Sequence, residues 1–174
     1  HLEIYLNDGY TQVGEIKFIP DSVVIVGPKA ELNNINEINT LKDTLLELSS
    51  AVKSNVDLIF PSKLINCQVS SIEYSLDIQQ ISERIIVDIP IKVTNKIKGI
   101  RVFPSPQTVS LTVVGGVFQI SKIKPSEVSV IVDFNLWNIK QSFYEPSVSF
   151  PVDILNWKDL SPRKIELGVA REAK

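Results

Sequence analysis

The order of motifs between residues 20 and 74 recurs between residues 106 and 167, so the chain must adopt a fold that can be built twice from half its length. Pro20-Asp21-Ser22-Val23-Val24-Ile25-Val26-Gly27 has a partner in the stretch Pro106-Gln107-Thr108-Val109-Ser110-Leu111-Thr112-Val113-Val114-Gly115. Ile35 and Ile38 then match Ile120 and Ile123, and Leu46-Glu47-Leu48 matches Val132-Asp133-Phe134. Leu58-Ile59-Phe60-Pro61 matches Val148-Ser149-Phe150-Pro151, and Ile72-Glu73-Tyr74 matches Ile165-Glu166-Leu167. Each pair is separated by roughly ninety residues, and a constant spacing with constant order is the mark of a duplication. A boundary is expected at the short polar stretch Gln79-Gln80-Ile81-Ser82, giving domains 1–80 and 81–174. So short a joint predicts a semi-rigid pair of beads.

Each copy reads as strands. Ile and Val supply about a quarter of the residues, and β-branched side chains suit a pleated surface better than a helix. Ile72, Tyr74, Leu76 and Ile78 alternate with Glu73, Ser75 and Asp77. Ile85, Val87, Ile89, Ile91 and Val93 continue the alternation, with Val128, Val130 and Val132 and then Ile165, Leu167 and Val169 behaving alike. Side chains two apart share a face, so each run is expected to bury one side. One segment differs: Leu32, Ile35 and Ile38 are spaced by three after Gly27-Pro28, which predicts a helix of two or three turns with that stripe facing the core. Residues 117–123 are expected to hold a shorter counterpart. The fold class is therefore all-β, with a minor short helix in each of two small barrel-like or sandwich-like domains.

The net charge of −2 and the isolated placing of Lys and Arg argue against nucleic acid or anionic lipid as the main partner. Cys67 is the single cysteine, expected as a small buried hydrophobe with no disulfide or multi-cysteine metal site. No methionine occurs, so His1 is expected to lie inside a longer chain. No apolar run is long enough to span a bilayer; a signal or anchor is expected outside the sequence given.

These motifs resemble the YbbR-like domain family. The stretch from Pro20 to Ile35 (PDSVVIVGPKAELNNI) is similar to the family's proline-opened, Gly-Pro-closed strand followed by a short helix. Val128 to Phe134 fills its acidic strand, and Phe150-Pro151 the strand that ends in proline. The second copy departs from the pattern with Gly115-Gly116 in place of Gly-Pro. The resemblance implies serial repeats outside the cytoplasm behind one membrane anchor. It also implies a regulatory role through protein contact, such as contact with a membrane-bound diadenylate cyclase, and no assigned catalytic residues.

The residues agree with an absence of catalysis. His1 is the single histidine, which leaves almost no material for a triad or a histidine metal site. There is no phosphate loop and no dinucleotide fingerprint, so no cofactor or metal is expected. Asp133, Glu145, Asp153 and Asp159 are the densest acidic group in the second copy, interleaved with Lys140, Lys158 and Arg163 as on a solvated face. Trp137 and Trp157 have polar neighbours. They either plug the ends of the core or, with Phe143 and Tyr144, form a candidate partner surface. The leading expectation is an extracytoplasmic binding or regulatory module for a protein at the membrane, working through exposed strand edges or this aromatic patch. A structural stalk and a module for cell-wall glycan are the alternatives.

Overall fold

A computed structural model describes residues 2–171 of the protein. The chain folds as two compact units, His1–Ile81 and Ser82–Lys174. In the first, strand β1 (Leu2–Leu6) is followed by β2 (Tyr10–Ile19), β3 (Ile25–Val26), helix α1 (Lys29–Leu32), β4 (Asn39–Thr40), β5 (Asp43–Leu48), β6 (Val52–Ile59) and β7 (Asn66–Cys67). Strand β8 (Ser71–Thr94) carries the chain past the division. The second unit continues with β9 (Ile100–Ser105), β10 (Thr108–Gly116), α2 (Val117–Ser121), β11 (Ser129–Asp133), β12 (Ser147–Ser149), β13 (Asn156–Ser161) and β14 (Glu166–Arg171).

Three strand pairings recur in the two units, while β6 pairs with β4 and β8 and its counterpart β12 pairs with β11. In the first, β1 pairs parallel with β5, β2 antiparallel with the early part of β8, and β3 antiparallel with β7. In the second, the late part of β8 pairs parallel with β11, β9 antiparallel with β14, and β10 antiparallel with β13. The fold is all-β, as the alternation implies, but its sheets are open rather than closed into barrels.

Each unit has its own core. Val56, Leu58, Ile72, Tyr74, Leu76 and Ile78 form the first, and the four from β8 are the inward members of the predicted alternation. The second gathers Ile86, Ile89, Ile91, Val109, Leu111, Val113, Ile120, Ile123, Val128, Val130, Val132, Tyr144 and Ile165.

Farther along β8 the alternation slips. Ile85 and Val87, expected in phase with Ile89, are 67% and 55% exposed, while Ile86 between them is buried at 1%. Asp88 explains the change. Its φ of 56° lies in the left-handed region, and one such residue turns every later side chain to the other face. Gly14 (φ 72°) in β2, Glu47 (φ 53°) in β5 and Asp159 (φ 57°) in β13 accompany register shifts in their own ladders.

The helices also depart from expectation. α1 is a single turn of four residues, so Ile35 and Ile38 lie beyond it, and the whole Leu32, Ile35, Ile38 stripe is only half-buried. Asn33 and Asn34 follow at once. Asn34 turns its side-chain amide back onto the Ala30 carbonyl at 3.1 Å, a local bond that competes with helix propagation. α2, expected to be the shorter, has five residues and buries Ile120. The Arg84 guanidinium holds its C-terminal end, donating to the carbonyls of Ile120, Ser121 and Ile123 at 2.6, 3.0 and 2.9 Å. The last carbonyls of a helix have no partner further along it, and that of Ile120 also receives the Ile123 N–H at 3.3 Å.

The matched glycines both have close neighbours. A Cβ on Gly27 would sit 2.6 Å from Ile65 Cδ1 and 3.0 Å from the Leu64 carbonyl oxygen, just ahead of β7. A Cβ on Gly115 would sit 2.9 Å from Ile120 Cγ2 and 3.1 Å from Gln119 Oε1. At Gly27 the close neighbour includes backbone, whereas at Gly115 the close atoms are side-chain ends and the nearest backbone atom, Leu155 N, is 3.9 Å away.

Candidate functional site

Three of the four aromatic candidates lie on one segment of the second unit, the connection between β11 and β12. It begins at Asp133, whose Oδ1 accepts the Asn135 backbone N–H at 2.9 Å and starts a short 3₁₀ turn, Phe134–Leu136. The same oxygen accepts the Asn95 side-chain amide at 2.8 Å. Asp133 is paired in register with Thr94, so β8 and β11 end together and their following loops leave from one end of the sheet. These two bonds hold the Asp133 carboxyl below its ordinary value, the Asn95 contact contributing most.

Phe134 is buried, and Trp137 stacks on it with centroids 5.6 Å apart and planes 17° from parallel. Trp137 therefore sits half-buried against the core. The chain then turns, the Gln141 N–H donating to the Asn138 carbonyl at 2.9 Å. Tyr144 closes the loop. Its backbone exchanges two 2.9 Å hydrogen bonds with Ile165, and its hydroxyl accepts the Asn138 N–H at 2.9 Å. The carbonyls of Asn138 and Gln141 both lie 3.1 Å from that hydroxyl, which has one proton to give them. Tyr144 is 4% exposed, so its ring is a pin for the loop rather than a contact surface.

The backbone so held displays apolar side chains to solvent. Leu136 is 67% exposed, Ile139 85% and Phe143 48%. Lys164 Nζ stands 5.8 Å from the Phe143 ring centroid, within cation–π range. Two shallow grooves flank the loop and share Gln141. Phe103, Trp137, Ile139 and Leu167 line one; Leu136, Phe143, Tyr144 and Lys164 line the other. Trp157 lines neither. It lies on β13 opposite Val113, on the core-facing side of the sheet, and is 37% exposed.

The candidates read from the sequence leave out three exposed side chains around this segment, Leu136 and Ile139 on it and Phe103 on β9. Two of them flank Trp137 within three residues, so the signal was present in the local run of Leu, Trp and Ile. Phe103 is brought in by strand pairing, which periodicity does not reveal.

The acidic group does not converge. Asp133 caps the 3₁₀ turn, Asp159 is the left-handed residue of β13, and the Asp153 carbonyl accepts the Gln119 amide at 2.6 Å. Glu145 borders the groove that holds Lys164. Lys158 pairs with Glu83 at 2.7 Å, and that contact raises its pKa. In the first unit Tyr74 is fully buried and donates to Asp43 Oδ2 at 3.0 Å; burial is the main cause of its raised pKa. Cys67 in β7 is half-buried, less enclosed than expected. His1 lies outside the described residues. Among the described residues no three His, Cys, Asp or Glu side chains gather as a metal site would require, and no helix is long and apolar enough to cross a membrane.

No family model matches the chain, and no curated protein does. A solved structure of a YbbR-like protein from Streptococcus pneumoniae TIGR4 matches over 98% of this chain and 92% of that one, at 11% identity and a TM-score of 0.37.

Proposed function

We propose that the chain is a non-catalytic binding module whose second unit presents the loop from Phe134 to Glu145 to a protein partner. One observation carries this reading. A loop fastened at Asp133, Trp137 and Tyr144 spends that order on holding Ile139 and Phe143 out in water. Exposed apolar side chains on a pre-ordered backbone lose little freedom on binding, which is how compact interfaces reach useful affinity. Trp137 and Phe103 beside them supply the aromatic area that interface centres favour.

Strand addition is the weaker route. In the second unit β12 has three residues, flanked by Pro146 and Pro151. β13 carries the left-handed Asp159 and the charged Lys158. Shortness, proline, a bulge and lysine are the devices that protect sheet edges from pairing. The non-catalytic reading is supported by the titratable groups with shifted pKa values. Those of Asp133 and Lys158 follow chiefly from a structural contact, and that of Tyr74 chiefly from burial.

The YbbR resemblance of the sequence supports placing the partner at the outer face of a bacterial membrane, with the parent chain anchored there. A membrane-bound diadenylate cyclase is the partner to try first. The test is binding of purified cyclase to this chain and to its Ile139→Ser/Phe143→Ser variant, with Ile85→Ser/Val87→Ser as a control on a distant face. Binding lost in the loop variant and kept in the control is expected. Equal binding by both variants, or no binding by the unaltered chain, overturns the reading.

A further inference from the structure

Charge is divided between the two units in a way that the net value hides. Residues 1–81 hold five Lys and Arg against eleven Asp and Glu, whereas residues 82–174 hold thirteen against nine. Within the second unit, lysines occur in both loops that leave the shared end of β8 and β11. Lys96 and Lys98 lie in the loop after β8, and Lys140 lies in the loop after β11. The Asp133 carboxylate ties the starts of both loops, to Asn95 and to Asn135. All three lysines are exposed. Between and beside them stand Ile97, 59% exposed, and Leu136, 67% exposed. Of the acidic residues near these loops, Asp133 is engaged by its two amide donors, and Glu145 lines the groove that Leu136 shares with Lys164.

We infer that this end of the second unit docks on a bilayer surface rich in anionic lipid. Lysines beside aliphatic loop residues suit that surface in two ways. The ammonium groups are attracted to headgroup phosphates within a Debye length, and the aliphatic side chains leave water for the acyl boundary. Mixed positive charge and exposed Ile and Leu are poorly explained by solubility alone, since solubility favours lysine without the apolar neighbours. The individual stretches hold too few cations to advertise this. The loops that carry them leave from the shared end of β8 and β11. Leu136 and Lys140 belong to the Phe134–Glu145 loop proposed above for a protein partner, whereas Lys96, Ile97 and Lys98 lie outside it, so the test is made on those three.

The test is co-sedimentation of the full chain with vesicles of phosphatidylcholine alone and of phosphatidylcholine mixed with phosphatidylglycerol. The unaltered chain is expected to bind the mixed vesicles, with binding falling as salt rises. Lys96→Glu/Lys98→Glu should lower the partition at least about tenfold. Ile97→Ser should weaken most the part that survives high salt. Lys122→Glu/Lys124→Glu makes the same charge change before β11, at its opposite end, and should leave binding intact. Unchanged melting temperatures show that the variants are folded. Equal binding to neutral vesicles, no binding to either, or equal losses from the two charge reversals would overturn the inference. Cyclase binding that persists in Lys96→Glu/Lys98→Glu separates this surface from the protein-binding loop.

Discussion

The side-chain amide of Asn95 reaches Asp133 Oδ1 at 2.8 Å, one step beyond the last backbone pair of β8 and β11. A side-chain bond thus continues the ladder after the parallel strands have stopped. Asp133→Ala should free both following loops together and speed amide exchange in residues 95–99 and 134–138, with β11 protected as before. The folded Asp133 carboxyl titrates below the ordinary value of 3.8. Its contribution is therefore present above that pH and lost as pH falls through the folded value. Acid titration followed by NMR checks both statements.

Tyr144→Phe removes one hydroxyl serving three backbone groups. The Asn138 N–H then loses its acceptor. We expect a loss of about 1–2 kcal/mol in urea unfolding and a larger loss in binding than in stability, because the loop becomes disordered before the unit unfolds.

Tyr74 gives a pH signature of opposite sense. Burial and the Asp43 carboxylate raise its pKa above 10.0. The folded chain holds that proton more tightly than the unfolded chain. Its contribution is whole below the ordinary tyrosine value and fades as pH rises through the folded one. Tyr74→Phe should cost about 1–2 kcal/mol near neutrality and remove this alkaline part of the stability profile, as measured by denaturant unfolding across the alkaline range.

Gly27→Ala and Gly115→Ala should each destabilise by roughly 1–3 kcal/mol. Gly27→Ala is expected to be the worse, since one close neighbour of its new methyl is the Leu64 backbone carbonyl, which yields less easily than a side chain. Thermal unfolding of the pair decides the order.

Glu47 and Asp88 occupy the left-handed region at φ 53° and 56°, where glycine is unstrained. Glu47→Gly should be neutral or stabilising by up to about 1 kcal/mol. Asp88→Val should cost more than 1 kcal/mol, since a β-branched residue tolerates that region worst. Chemical denaturation of each variant settles the sign.

The legible parts of the fold were those set by local chemistry. Ile72, Tyr74, Leu76 and Ile78 declare a face because nothing interrupts their period. Gly27 and Gly115 occupy matching places after β3 and in β10, which is one of the matches that made the duplication legible. The parallel pairing of β1 with β5 and of β8 with β11 left no trace in the period, which fixes the face of a residue and not its neighbour. The helix stripe failed because asparagine side chains compete for backbone bonds more strongly than the spacing of Leu32, Ile35 and Ile38 could offset. For the candidate surface, aromatic residues drew attention to Tyr144, which is interior, while Ile139 beside Trp137 is the most exposed large apolar side chain described.

Asp88 amounts to one supernumerary residue in an otherwise regular strand. Striking it out would leave Ile86, Ile89, Ile91 and Val93 in unbroken alternation. One left-handed residue thus does what would otherwise take several substitutions. It moved Ile85 and Val87 outdoors without altering either of them. In a chain of this kind the interior is counted from the nearest left-handed residue, much as a reading frame is counted from its start. A family alignment that places a gap at Asp88 one position early or late would exchange the inside and outside of the strand on that side.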